Sequence, residues 1–355
     1  MPRPHLYSFI AIQTDKELCL RANVNFVSKG QQLDIIRDKV ELSAPLKSIG
    51  LIKAREARIK ITAKDKQGQM IFTKEYDSDA FGGFDLKIPT TKKIDHLHIY
   101  ETSSQEGLEL VLGSYLPLHL NPQSKLIVSD FDKTLVDTKF STLKEVISSL
   151  KNPVSSFPNI SESLGLFKDY IQKGYAPFIL SASPHFYERS IRDWSYQNGL
   201  YGPHILLKDY RTILSLTQGI LSPKDVKRQG FYKLNQLVDL LLMTGIPEEL
   251  VLMGDAFESD PFIYMTLLSV IADRYDPWKL WSEIKGTRPF SFTSKQDSQF
   301  LTKFYQLSEM ARKRPLASFK VFIRYNKAKK VSLDDFHFPT ESMRKLSQSI
   351  EFYQA

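Results

Sequence analysis

The chain has 355 residues, 42% of them hydrophobic and 25% charged, the proportions of an ordinary globular protein, which excludes a largely disordered, coiled-coil or collagen-like chain. Its length exceeds one typical domain of ~100–200 residues, so two or three domains are expected. The net charge of +8 belongs to one segment: residues 285–330 carry 12 Lys and Arg against only Asp297 and Glu309, a local +10, while the rest holds 36 basic and 38 acidic residues.

Such a segment fits an anionic partner, a phospholipid surface or nucleic acid, or simply a solvated basic face. No apolar run reaches the ~18 residues of a membrane span. The opening MPRPHLYSFIAIQTDKE has no small-residue cleavage site, so no signal peptide is expected. Cys19 is the single cysteine, which excludes a disulfide framework and a cysteine zinc site. The expected location is the cytoplasm, peripheral at a membrane if the basic segment engages one.

Residues 5–120 read as β-rich. LCLRANVNFVS, EARIKITAKD, QMIFTKEYD, DHLHIYET and LELVLGSYLPL are short segments of alternating or β-branched character, and turn signals at Lys66-Gln67-Gly68 and Gly82-Gly83 separate them. Strands at this spacing suggest a sandwich. His96 and His98 share one face of a strand, but no third ligand lies nearby, so ordinary alternation accounts for them.

From about residue 121 apolar strands alternate with helical stretches: KLIVS, FKDYIQKG, APFILS, HFYERSIRDWSYQNG, HILLKDY, LNQLVDLLLMTG, ELVLMGD and DPFIYMTLLSVIADRY. This alternation predicts βαβ crossovers and a parallel sheet. The expected organisation is a β-rich domain over 1–120, an α/β domain over 121–330 with an insertion at 272–318, and a polar tail over 331–355. In the insertion, Phe300, Phe304, Leu307 and Ala311 form one helical stripe, which suits either a core-facing helix or an interfacial one.

Four features follow one another at strand ends or helix starts, and ligands of open α/β sheets bind at the carboxyl ends of the strands. Asp130-Phe131-Asp132-Lys133-Thr134 follows the strand Leu126–Val128. Two carboxylates one residue apart can divide nucleophilic attack from proton transfer. Ser181 ends the strand of LSASP, where its hydroxyl can meet a phosphoryl oxygen; a plain turn is the alternative. Lys233 enters the helix of LNQLVDLLLM, where it would offset negative charge or sit solvated. Asp255 and Asp260 lie in GDAFESD after the strand Val251–Met253, and a carboxylate there is a hard ligand for Mg²⁺.

This ordered set resembles the haloacid dehalogenase superfamily of aspartyl-phosphate phosphohydrolases. LSASP with its following aromatic residue, GD…DPFIY, FKVFIRYN and DAFGGFDLKIP resemble the actin-patch type of phosphatidate phosphatase, over roughly residues 20–326. Lys133 stands where that family's lipid phosphatases usually carry an acid or glycine, and 272–318 is longer than the family's spacing.

The resemblance implies a Rossmann-like α/β fold, a parallel sheet with helices on both faces preceded by a sandwich-like domain, with FKVFIRYN closing the sheet. It implies Asp130 as nucleophile and Asp132 as acid and base, with Thr134 orienting Asp132. Ser181 and Lys233 (Lys208 being the alternative lysine) would hold phosphoryl oxygens, and Mg²⁺ would lie on Asp130, the Asp132 carbonyl and Asp255 with Asp260 near. The implied substrate is phosphatidate. The alternatives are a phosphatase of phosphoproteins or nucleic-acid ends, and a non-catalytic binding protein on the same fold.

Overall fold

The computed structural model describes residues 3–27, 55–104, 106–138, 151–209, 230–326 and 331–355. Its first strands are β1 (Arg3–Gln13), β2 (Glu17–Val27), β3 (Arg58–Lys64), β4 (Met70–Asp77), β5 (Gly83–Pro89), β6 (His96–Glu101), β7 (Leu110–Tyr115) and β8 (Leu118–His119). They form two four-stranded sheets, β5-β2-β1-β8 and β4-β3-β6-β7. Ala11, Leu18 and Leu20 of the first sheet pack against Ile59, Ile61 and Leu97 of the second. The alternate residues Ile10, Ile12 and Cys19 point the other way and join the core of the α/β layer. Because successive strand side chains face opposite sides, β1 and β2 glue the sandwich to the rest of the molecule. β1 and β5 were not among the five expected strands. The turn into β5 needs glycine: Gly82 has φ +77°, and a Cβ there would lie 2.3 Å from the Val24 carbonyl oxygen.

The second layer is a six-stranded parallel sheet, β9 (Lys125–Asp130), β10 (Ala176–Pro184), β11 (His204–Lys208), β12 (Glu249–Asp255), β13 (Ser318–Tyr325) and β14 (Ile350–Gln354), in the order β11-β10-β9-β12-β13-β14. Its helices are α1 (Ser161–Gln172), α2 (Glu188–Gln197), α3 (Gly230–Thr244), α4 (Asp260–Ile271), α5 (Pro277–Ile284), α6 (Ser294–Lys313) and α7 (Glu341–Ser347). Leu126, Val128, Leu250 and Leu252 pack on α3, α4 and α6, whereas Ile127, Val251 and Met253 pack on α1 and α2. Burial on both faces explains the unbroken apolar runs of these strands. The chain leaves β9 toward β10 and β11, then returns to place β12 on β9's other side. The connections after β9 and β12 therefore part, and the crevice between them is where such sheets bind ligands.

Two expectations are corrected. Residues 331–355 are not a polar tail: they contain α7 and β14, and β14 pairs in parallel with β13. FKVFIRYN consequently does not close the sheet. β14 escapes notice because IEFYQ is five residues long and only Ile350 is buried, while Tyr353 hydrogen-bonds the Ser163 hydroxyl at 2.8 Å. The stripe Phe300, Phe304, Leu307 and Ala311 is fully buried, with Trp281 on Phe300 at 4.5 Å between ring centroids. Of the two readings of this stripe, the core-facing one is therefore what the structure shows.

Candidate active site

β9 ends on Asp130, which is 1% exposed. The chain turns there through Lys133 at φ +59°, a left-handed conformation that few non-glycine residues adopt. Arg324 of β13 fastens the turn by donating to the Lys133 carbonyl at 2.8 Å. The turn sends the two carboxylates of D-x-D to different partners.

Asp130 Oδ1 lies 2.7 Å from Lys233 Nζ, and Oδ2 accepts a hydrogen bond from Thr134 Oγ1 at 3.1 Å. Asp132 Oδ2 accepts from Ser181 Oγ at 2.7 Å and Ser183 Oγ at 2.9 Å, and its Oδ1 accepts from Thr138 Oγ1 at 3.0 Å. Thr134 thus orients Asp130 and not Asp132, because four residues on in a tight turn it faces back to the strand end. The hydroxyls of Ser181, Ser183 and Thr138 hold Asp132 instead.

Lys233 sits in the first turn of α3 and is only 2% exposed. Its ammonium is 2.7 Å from each of Asp130 Oδ1, Glu258 Oε2 and Asp260 Oδ1. Asp260 Oδ2 in turn accepts the Asp255 backbone N–H at 3.1 Å, which ties the end of β12 to the start of α4. Gly254 makes room for this, since a Cβ there would meet the Asp260 Cβ at 2.6 Å. Asp255 Oδ1 accepts the Phe257 N–H at 2.7 Å, and Arg324 Nη1 lies 3.6 Å from Oδ2. Lys233 is the lysine that reaches Asp130; Lys208 lies at the end of β11 with its ammonium 6.0 Å from the Tyr232 ring centre.

Burial raises the carboxyl groups of Asp130, Asp132, Asp255 and Asp260. Asp130 stands well above the ordinary range because of burial, Lys233 drawing it down while Asp260, Glu258 and Asp132 push it up. In Asp132 burial outweighs the hydroxyls that favour its charged form. Asp255 is raised to about 7 by burial, opposed by the Phe257 N–H and reinforced by Asp260 and Glu258. Burial alone would lower the Lys233 ammonium, but Asp130, Asp260 and Glu258 lift it well above its usual value.

One ammonium therefore faces more acid than it can neutralise. Oxygens of Asp130, Glu258 and Asp260 lie within 4.8 Å of one another and could hold a metal ion. Asp255 Oδ2 and Asp130 Oδ1 are buried and accept no well-aligned hydrogen bond. An all-oxygen set with unused lone pairs fits a hard divalent cation.

The structure thus gathers the seven residues into two bonded sets, Asp130 with Thr134, Lys233, Asp260 and Asp255, and Asp132 with Ser181, and the charges of Asp130 and Asp132 act on each other. Ser183, Thr138, Glu258 and Arg324 were not anticipated. Glu258, Ser183 and Arg324 lay inside the quoted motifs, whereas nothing local marks Thr138.

Residues 125–276 match the family model of the phosphatidate phosphatase APP1 catalytic domain. The matched span contains all seven of the residues that the sequence singled out. That family is a phosphatase family, which supports a hydrolase. No curated protein matches the sequence. Among solved structures, Parabacteroides merdae β-glucuronidase with glycerol in its active site is 10% identical, with 90% of this chain and 34% of that chain covered and a TM-score of 0.27. Cytosolic 5′-nucleotidase IIIB bound to cytidine is 10% identical, covering 66% of this chain and 81% of that one, with a TM-score of 0.30. The chain spans about a third of the β-glucuronidases it matches, and at these scores neither likeness bears on fold or activity.

Proposed function

We propose that this chain hydrolyses a phosphomonoester through an aspartyl-phosphate on Asp130, with phosphatidate as substrate, on a sheet of the haloacid dehalogenase type. The observation that carries the reading is the unlike setting of two carboxylates one residue apart: Asp130 on an ammonium, Asp132 on three hydroxyls. Pairs of acids in contrasting environments are how acid and nucleophile roles are separated.

In the first step an Asp130 oxygen bonds to phosphorus as the bond from phosphorus to the glycerol oxygen breaks, and protonated Asp132 gives its proton to that oxygen, releasing diacylglycerol. In the second, water attacks phosphorus, Asp132 takes the water proton, and Asp130 leaves as carboxylate with release of inorganic phosphate. Lys233 and Thr134 keep Asp130 aimed, and the Lys233 ammonium favours its anion. Ser181, Ser183 and Thr138 hold Asp132 in place for both transfers. Mg²⁺ on Asp130, the Asp132 carbonyl and Asp255, with Asp260 and Glu258 near, would neutralise charge shared by phosphate and attacking carboxylate.

The division at residue 120 and a cytoplasmic, membrane-peripheral location belong to the same reading, with basic residues of 285–330 touching anionic headgroups and not inserting. The test is phosphate release from phosphatidate vesicles and from a phosphopeptide, with Mg²⁺ and with chelator. Release from phosphatidate that requires the metal, and that Asp130→Asn abolishes without altering the far-ultraviolet circular dichroism, is expected. Activity retained by Asp130→Asn removes the nucleophile; a faster phosphopeptide reaction reassigns the substrate.

A further inference from the structure

A cavity of about 620 Å³ lies between β1 and α2, bounded also by the end of β7 and the start of β11. Small-molecule sites commonly span about 300–1,000 Å³. Its walls are aromatic: Tyr7 and Phe9 from β1, Tyr115 from β7, Phe186 just before α2 and Tyr196 near its end. Phe9 and Tyr115 stack with ring centroids 4.0 Å apart, so that wall is formed in advance.

The backbone here is held on purpose. β1 slips register against β2 between Tyr7 and Ile10, and Ser8 takes φ +49°. A non-glycine residue in that region is strained and persists only where its surroundings fix it. The fixing group is Glu188, whose Oε2 accepts the Ser8 N–H at 2.6 Å and the Ser8 hydroxyl at 3.2 Å.

Charge then decides what the cavity can take. Among the described residues Glu188 is the one acid in its lining, and its second oxygen accepts Arg192 Nε at 3.0 Å and Nη2 at 2.7 Å. Arg192 is therefore neutralised. Arg189, half-buried in the same lining beside His5, makes no ion pair among the described residues. A guanidinium that no described acid pairs, set in an aromatic lining, fits a molecule that brings its own anion and an apolar body.

We propose that this cavity binds an anionic amphiphile, with its acidic group on Arg189 and its acyl or aromatic body between Tyr7, Phe9, Tyr115 and Phe186. The proposal stands apart from the phosphatase reading, since none of the seven site residues lines the cavity. The shared chemistry admits a fatty acid or a lysophospholipid.

The test is fluorescence titration of the full chain with 8-anilinonaphthalene-1-sulfonate, followed by displacement with oleate, oleoyl lysophosphatidate and ADP below micellar concentrations. One saturable site is expected, with displacement by oleate or by lysophosphatidate, the stronger competitor identifying the source. Arg189→Gln should weaken probe binding about tenfold, the loss of one charge-assisted contact, while Arg189→Lys retains most of it and both keep the wild-type melting temperature. Absence of saturable binding, an unchanged affinity in Arg189→Gln, or ADP outcompeting oleate would each overturn the assignment.

Discussion

Replacing Lys233 with methionine keeps the volume and removes the charge from the centre of the carboxylate cluster. Three carboxylate oxygens, each 2.7 Å from the ammonium, lose their common partner. Breaking one buried ion pair by deleting a single member costs about 3–5 kcal/mol. Three acids sharing one cation are coupled, so the upper end, about 5 kcal/mol, is expected and not three times that figure.

With roughly 2.1 cal/mol/K of unfolding entropy per residue and about 200 residues of the α/β layer melting together, the melting temperature should fall by about 10 °C at pH 8. The pH dependence follows from the direction of the shifts. Carboxyl groups raised in the folded state favour folding below their unfolded values and lose that contribution as pH rises through the folded ones. Without Lys233 those folded values rise further, so the variant should approach wild type at pH 5 and fall away toward pH 8. Differential scanning calorimetry in chelator measures this. A melting temperature within a degree of wild type at pH 8, or a larger deficit at pH 5 than at pH 8, refutes the view of Lys233 as the cluster's counter-charge.

Three further outcomes follow. Thr138→Val, by removing the hydroxyl on Asp132 Oδ1, should slow phosphate release about tenfold and shift the limb of its pH–rate profile that Asp132 sets to higher pH, since a hydrogen bond to the charged form is lost; an unmoved profile denies Thr138 a positioning role. His204 stacks on Phe178, and burial, with Arg192 adding, lowers it to about 4. Its contribution is complete above the unfolded value near 6.5 and lost as pH falls toward 4, at most about 3 kcal/mol, less where solvent reaches the ring. His204→Gln should therefore flatten denaturant midpoints over that window, and parallel curves for variant and wild type contradict it. Deleting residues 349–355 strips the edge strand from β13 and the Ala355 carbonyl from Arg324, so it should cost several kcal/mol and promote aggregation through the bared edge; a deletion as soluble and stable as the full chain would restore the tail reading.

The local grammar of the chain determined a good deal on its own. Apolar runs such as KLIVS and ELVLMG have to be buried on both sides, which demands a parallel sheet under helices. Acids placed directly after those runs have to emerge at its carboxyl edge, and for that reason Asp130, Asp132 and Asp255 were legible. Lys233 was legible only by its place in the order, since a lysine at a helix start is solvated unless something buries it.

Partnership was decided by tertiary structure alone. Whether Thr134 or Thr138 meets Asp132 depends on which way a turn with Lys133 in a left-handed conformation points its hydroxyls. That Arg324 clamps this turn depends on a neighbour 191 residues away in sequence, and that five residues such as IEFYQ join the sheet depends on the edge that β13 offers them. Hydrophobic periodicity is a property of a residue and its near neighbours, whereas hydrogen bonds and charge balance belong to pairs that only the folded chain brings together.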